Sequence, residues 1–419
     1  MNIGRQTAYD ALVVGGGPAG ATAAILLAQA GWQVAIVEKT PFPRRKVCGE
    51  FVSAAGWPLL RELGVAASLL SQAGPEIRRV GLYAGATMLS ANMPSAGHKV
   101  EPWGRALGRE HLDTALLARA RQAGAQVLQP WKLSRIEQIT GGYLCSRDAK
   151  AGAPNAGKRA EMDVRARIVI DAHGSWEPGS MRTRPSRCAP LAADLFAFKA
   201  HFRNGRLPVG LMPLLLFPGG YGGMVQTDRG RVTLSCCIRR DVLDRCRRAS
   251  KSAGEHARAG EVVLAHVRSS CRGVGEALSG ATLDGAWLSA GPIRPGIRPF
   301  RRDGVFSVGN AAGEAHPIVA EGISMAIQSA YLLCALLVGR KDAALAANSR
   351  EALAAIAREY ERGWRRNFFA RIRAANLFAH LGMWPATARL AVALLQRAPA
   401  MLTFGAYCSG KTQSLQTVQ

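Results

Sequence analysis

The sequence is short of acid. Asp and Glu together number 29 against 54 Lys and Arg, so the formal charge is +25. A chain so biased draws anions: phosphates, acidic lipid headgroups or nucleic acid. The same excess, spread along the chain and mostly arginine, also describes a well-solvated surface with no anionic partner. Zinc-finger spacings, an aromatic RNA-binding signature and a localised basic arm are all missing, so specific nucleic-acid binding is not expected. The nine cysteines form no CxxC pair, and no metal site is assigned. An odd, scattered set fits free thiols in a reducing compartment, and a cytoplasmic location is the expectation. No apolar run reaches the roughly 18–20 residues that span a bilayer. The longest, "YLLCALLVG" (331–339), is broken. No signal peptide stands before the first apolar run. The expectation is a soluble protein, or one that sits peripherally at the inner membrane face. No internal repeat is found.

What the sequence does hold is core and glycine. Its 419 residues are 48% hydrophobic, enough for two or three structural units. "DALVVG" (10–15) reads as a buried strand, "PAGATAAILLAQAG" (18–31) as a helix stopped by glycine, and "QVAIVE" (33–38) as a second strand. Between the first strand and the helix, Gly15, Gly17 and Gly20 form GxGxxG. The first glycine permits the tight turn, the second lets backbone approach a pyrophosphate, and the third lets helix and sheet pack closely. The helix start, Pro18 and Ala19, faces the phosphates with free N–H groups. Glu38 closes the second strand at the distance where an acid accepts hydrogen bonds from a ribose. The whole context indicates a dinucleotide site, not a structural glycine turn.

Further on, "GREHLDTALLARARQAGAQVL" (108–128) has Leu112, Leu116, Leu117 and Ala120 at helical spacing. "ARIVIDAHGS" (166–175) is another buried strand with a tight turn, and 148–163 reads as a hairpin excursion. From about 190 to 290 the pattern alternates, as in "LFAFKAHF", "GGYGGMVQT" and "RVTLSCCI". A second small-residue loop, "VGNAAGEAHPIVAEGI" (308–323), leads into an apolar helix. Its predicted core face is Ile323, Ala326, Ile327, Ala330, Cys334 and Leu337. The last eighty residues read as helices. The predicted fold is α/β with an α+β insert. A Rossmann-like domain with a parallel sheet takes 1–80, 105–180 and 290–340. An antiparallel-sheet substrate domain takes 81–104 and 181–289, and a helical C-terminus takes 341–419.

GxGxxG alone does not separate FAD from NAD. The chain resembles, over most of 8–340, the FAD-dependent group that includes aromatic hydroxylases of the para-hydroxybenzoate hydroxylase fold, geranylgeranyl reductases and flavin-dependent halogenases. The resemblance rests on the first loop, "GREHLDTALLARARQAGA", "ARIVIDAHGS" and "GVFSVGNAAGEAHPIVAEGISMAIQSA". It implies FAD as cofactor, with NAD(P)H as electron donor although no second Rossmann loop is visible. It implies that Arg109 contacts FAD and that Asn310 hydrogen-bonds the ribityl chain, an amide being able to donate and accept. Gly313, Gly322 and Ile323 follow in the same loop, and the helix N-terminus there would favour an anionic reduced flavin. His173 stands where the group usually has aspartate.

"FPRRKVCGEF" (42–51) resembles the geranylgeranyl reductase branch most closely, and there Cys48 and Gly49 would lie near the flavin ring. Lys39 and the Arg44–Lys46 run are further candidates on the cofactor side, or solvated charge. Cys48, His316 and Tyr221 are the candidate catalytic residues; each also reads as a packing residue. The tryptophan-x-tryptophan-x-isoleucine-proline motif of halogenases is absent, so halogenation is not expected. The first expected activity is NAD(P)H-driven hydroxylation of a lipophilic, aromatic or polyketide-like molecule. The second is saturation of double bonds in an isoprenoid-like lipid. A basic membrane- or nucleic-acid-binding protein with a vestigial nucleotide fold is the remaining alternative. The tail 364–411 either caps the substrate domain or rests on an anionic membrane.

Overall fold

A computed structural model of the chain describes residues 8–97, 100–147, 163–174, 191–252, 254, 257–346 and 349–416. The excursion expected at 148–163 lies almost wholly outside the described residues. In chain order the principal elements begin with β1 (Ala8–Val14), α1 (Pro18–Gln29) and β2 (Val34–Val37). Then come β3 (Arg79–Ala84), β4 (Thr87–Asn92), α2 (Arg109–Gln122) and β5 (Gln126–Leu128). β6 (Leu133–Ile139), β7 (Gly142–Arg147) and β8 (Val164–Asp171) follow. Four long strands are next: β9 (Leu195–Arg203), β10 (Leu211–Phe217), β11 (Gly220–Gln226) and β12 (Val232–Arg239). β13 (Leu288–Ile293) and β14 (Val305–Ser307) lead to α3 (Gly322–Gly339). The chain then runs through α4 (Arg350–Met383), α5 (Pro385–Arg397) and α6 (Ala400–Cys408).

Two large sheets divide the strands. The first runs β14-β8-β1-β2-β5, all parallel, and the antiparallel pair β6 and β7 is attached at β8. Its parallel strands are buried on both faces, as the continuous apolar runs of β1 and β2 require. α1, α2 and α3 cover one face, with Ile25, Leu116 and Ile327 in a single core. Trp131, Leu133 and Tyr143 cover the other. The expected face of α3 is buried, and so is half of its remainder, because α1 and α4 both pack on it. α3 is long and apolar enough to cross a membrane, but here it is a core helix, packed inside the protein.

The second sheet runs β9-β12-β11-β10-β3-β4, with β13 added beside β9. It is antiparallel, as expected for the substrate half, except that β3 and β10 run parallel. Separated by more than a hundred residues, those two strands are not joined by a hairpin and are free to run in the same direction. β3 starts at Arg79 and β13 ends at Ile293, so both strands straddle the boundaries drawn from the sequence. Period-two alternation sorts β9 cleanly. Phe198, Ala200 and Phe202 pack under helices of residues 240–277, whereas Leu195 and Ala197 face α4. Lys199 and His201 share parity with Leu195 and Ala197, which puts two ionisable groups on the face toward the first sheet.

Candidate functional site

The parallel strands end in register. Val14 lies beside Val37 and Asp171, and Asp171 beside Ser307. The loops leaving those ends converge at the carboxyl edge of the sheet, where open α/β folds bind ligands. Gly15 takes φ +108°, and a Cβ there would lie 2.6 Å from the Ala172 carbonyl oxygen. A Cβ on Gly20 would lie 1.9 Å from the Gly15 carbonyl oxygen. These two glycines therefore let α1 begin directly under the strand ends.

Gly17, Pro18 and Ala19 line a cavity of about 210 Å³, and Cys48, Gly49, Arg109, Tyr221, Asn310, His316, Gly322 and Ile323 line it too. α1 has no side-chain cap at Gly17, and α3 has none at Glu321. Two uncapped helix N-termini thus open on one cavity, each with orphan N–H groups and partial positive charge. Much of the remaining wall is apolar, with Met212, Leu214, Met224, Val225, Ile318 and Met325, and Lys46, Glu50 and Glu314 add charge to it.

The other expected contacts fall around this cavity. Glu38 is buried behind it: Oε2 accepts the Gly16 N–H at 2.9 Å and Oε1 accepts the Thr40 N–H at 2.9 Å. Its carboxylate also holds Arg44 at 3.4 Å. Arg109 is buried and forks onto Asp113 at 2.7 and 2.8 Å. Burial opposes its charge, but Asp113 and the nearby Cys48 hold its pKa above the usual value. The Arg109 guanidinium comes within 3.7 Å of where a Cβ on Gly17 would be. Asn310 donates to Glu314 at 3.4 Å, and Glu314 pairs with Arg298 at 3.2 Å. A carboxylate therefore does line the second loop, four residues after the amide.

Lys39 and Gly313 are not among the cavity-lining residues. Lys39 is exposed, and Gly313 is buried where a Cβ would meet the Trp364 ring at 2.4 Å. Its glycine is a packing requirement of the second loop. His173 turns back to pair with Asp171 and is likewise not part of the lining.

Tyr221 and His316 meet inside the cavity. The Tyr221 hydroxyl lies 3.0 Å from His316 Nδ1. Burial, then the neighbouring His380, pushes His316 down to about 4, so its imidazole is neutral at ordinary pH. Burial pushes the Tyr221 hydroxyl well above the usual value, so it keeps its proton. Lys46 adds a cation to the same lining. Burial, then Arg109 and Arg44, lowers it to about 8.

Glu50, next to the Cys48-Gly49 pair, was not foreseen. It is fully buried at φ +60° and ion-pairs with Lys199 and, at 2.8 Å, with His201. It also accepts the Thr233 hydroxyl at 2.9 Å and the Arg109 N–H at 3.0 Å. Burial works against its charge, but the Lys199 ammonium and His201 outweigh it and hold the carboxyl at about 2. This network ties the Cys48 turn to β9 and β12 of the second sheet. The polar parity of Lys199 and His201 in β9 was the signal that could have found it.

Comparisons with known proteins come to the same place. Residues 8–178 match the FAD binding domain family. The chain is 31% identical over 184 residues to a 1H-pyrrole-2-carbonyl-(peptidyl-carrier protein) chlorinase of Pseudomonas fluorescens, a match covering 40% of this chain and 39% of that protein. It is 26% identical over 379 residues to digeranylgeranylglycerophospholipid reductase 2 of Methanopyrus kandleri, covering 86% of this chain and 83% of that one. Among solved structures, the flavin-dependent brominase Bmp2 superposes with a TM-score of 0.73 at 16% identity, over 98% of this chain and 95% of that one, a likeness of fold.

Proposed function

We propose that this chain, an FAD-dependent oxidoreductase of the para-hydroxybenzoate hydroxylase fold, saturates carbon–carbon double bonds of an isoprenoid-like lipid. The observation that carries the reading is the Tyr221–His316 pair, a proton-holding group with a neutral partner in a cavity whose lining also includes the apolar side chains Met212, Leu214, Met224 and Ile318. Reduction of an isolated double bond needs a hydride at one carbon and a proton at the other. Bound FAD, once reduced, would supply the hydride, with NAD(P)H as the proposed source of its electrons. Tyr221 Oη donates the proton, and His316 Nδ1 accepts the hydroxyl's hydrogen bond while the pair waits. The name of the Methanopyrus kandleri relative, matched over most of both chains, supports the lipid substrate class.

FAD fits the donor set. The uncapped start of α1 suits the pyrophosphate, and Gly15 and Gly20 let that start sit close under the strand ends, where a Cβ would strike backbone. Glu38 has acceptor capacity left for a ribose. Arg109, locked by Asp113, presents fixed charge beside Gly17. Asn310 suits a neutral ribityl hydroxyl, and the uncapped start of α3 at Gly322 and Ile323 suits the electron-rich end of a reduced ring. Cys48 and Gly49 supply the facing wall.

Hydroxylation is the second reading, and Lys46 favours it: a cation in the cavity suits an oxygen reactant that gains negative charge. The test is anaerobic incubation of the photoreduced protein with a polyprenyl lipid. Product heavier by two hydrogens supports reduction. An oxygen-dependent product heavier by one oxygen overturns it in favour of hydroxylation. Tyr221→Phe should lower the turnover of the reductase by about 100-fold while leaving the flavin spectrum intact. Unchanged turnover would remove Tyr221 from the mechanism.

A further inference from the structure

We infer that the outer face of α4, α5 and α6 docks on an anionic lipid bilayer, and that the lipophilic substrate is drawn in beneath it. The second half rests on the proposed function; the docking itself does not. Between Arg362 and Gln419 the sequence has eight Lys or Arg and no Asp or Glu. Six of those, Arg362, Arg365, Arg366, Arg373, Arg389 and Arg397, are exposed on α4 and α5. Nowhere in the preceding sequence is the bias so one-sided over a comparable length.

The same helices expose large apolar side chains. Leu377 is 57% exposed, Trp384 54%, Leu390 63%, Leu394 48% and Phe404 68%. Scattered exposed leucines need no explanation, but a concentration of them does. α5 fully buries none of its residues: Val392 and Leu395 pack partly against the core, while Leu390 and Leu394 on the same helix stand exposed. On α4, Arg366, Phe369, Arg373, Leu377 and Leu381 follow one another at helical spacing along the exposed stripe. Apolar side chains interleaved with arginine suit a headgroup boundary, where the former sink and the guanidinium groups take phosphates. α4 and α5 meet at a bend of 105° beside Trp384, an aromatic side chain of the kind that favours such a boundary.

The inner faces connect this surface to the cavity. Ala375 and Ala379 of α4 pack with Tyr221 and Ile318, and Leu402 and Ala406 of α6 pack with Met212 and Val225. Those four partners line the cavity. One layer of helix therefore separates the proposed bilayer face from the walls that would hold a prenyl chain.

The experiment is flotation of the full-length holoprotein with phosphatidylglycerol-containing vesicles and with pure phosphatidylcholine vesicles. The parent should float with the first and bind the second about tenfold less. The triple change Leu390→Glu, Leu394→Glu and Phe404→Glu should lose about tenfold on anionic vesicles. Because it could also disturb packing, Arg373→Gln with Arg389→Gln and Arg397→Gln is the companion variant. It should weaken anionic binding while flavin spectrum and melting temperature match the parent. Equal binding by parent and both variants overturns the proposal. So does a parent dimer that the triple variant turns into monomer, since the face would then cover a second copy. A colourless protein that still floats refutes the flavoenzyme reading alone, and a yellow protein that does not float refutes the docking alone.

Discussion

Single residues in this site are defined by their partners. Glu38 anchors Gly16 and Thr40 through its two oxygens, and a ribose would add to that set. Glu38→Ala should therefore weaken FAD retention by at least about tenfold, because it removes a buried charge-assisted acceptor. The ratio of flavin to protein absorbance after dialysis checks this, and parent-like retention would move the ribose elsewhere. Lys46 makes a pH-dependent case in the apoprotein. Burial with Arg109 and Arg44 lowers it from 10.5 to about 8. Between those values the unfolded chain binds more protons than the folded one, so stability rises with pH through that window. Below about 8 the penalty of holding the charge is fully present. Lys46→Met should stabilise the apoprotein at pH 7 by on the order of 1 kcal/mol and leave it unchanged above the unfolded-state value. Melting temperature against pH tests this; a gain that is constant with pH would remove the charge from the explanation.

At the scale of elements, the Cys48 turn is held to the second sheet by one buried ionic network. Glu50→Gln leaves Lys199 and His201 facing a neutral group and should cost about 3–5 kcal/mol. The depressed Glu50 carboxyl contributes stability that is fully present above its ordinary value of 4.5 and is lost as pH falls through about 2. The deficit of Glu50→Gln should therefore be full at pH 7 and shrink as the parent protonates, which urea midpoints at neutral and acid pH would show. A deficit that persists undiminished in acid would mean that the loss is one of shape. The same network marks where sequence reading stops. β1, α1, β2 and the apolar face of α3 carry local periodicity, Gly20 sits in the first turn of α1, and Gly15 and Asn310 sit in loops whose order is local too. Glu50 meets Lys199 and His201 only after about 150 intervening residues have folded, and His316 meets His380 across a helix. The parity of Lys199 and His201 marks a polar face of β9, but no spacing in the sequence names the partner that meets it. Asp113 is the exception: it stands one helical turn after Arg109, where a partner could have been read directly.

On the scale of the whole molecule, the cavity is assembled from pieces far apart in sequence: Gly17, Cys48, Arg109, Tyr221, Asn310 and Gly322. The second sheet lies between the two glycine loops in the chain, yet the loops are neighbours, because β8 and β14 bring Asp171 and Ser307 side by side. A ligand that touches all these segments binds the folded chain and finds no such site in the unfolded one. FAD at about a hundredfold its dissociation constant should therefore add about 2.7 kcal/mol, and tenfold more FAD about 1.4 kcal/mol again. That predicts a melting temperature several degrees higher for holoprotein than for apoprotein, climbing steadily with the logarithm of free FAD. Riboflavin lacks the pyrophosphate that the start of α1 would hold, and should raise it far less. A melting temperature flat in FAD would mean that the two loops do not close on one cofactor, and the reading of this cavity as a single flavin site would fall with it.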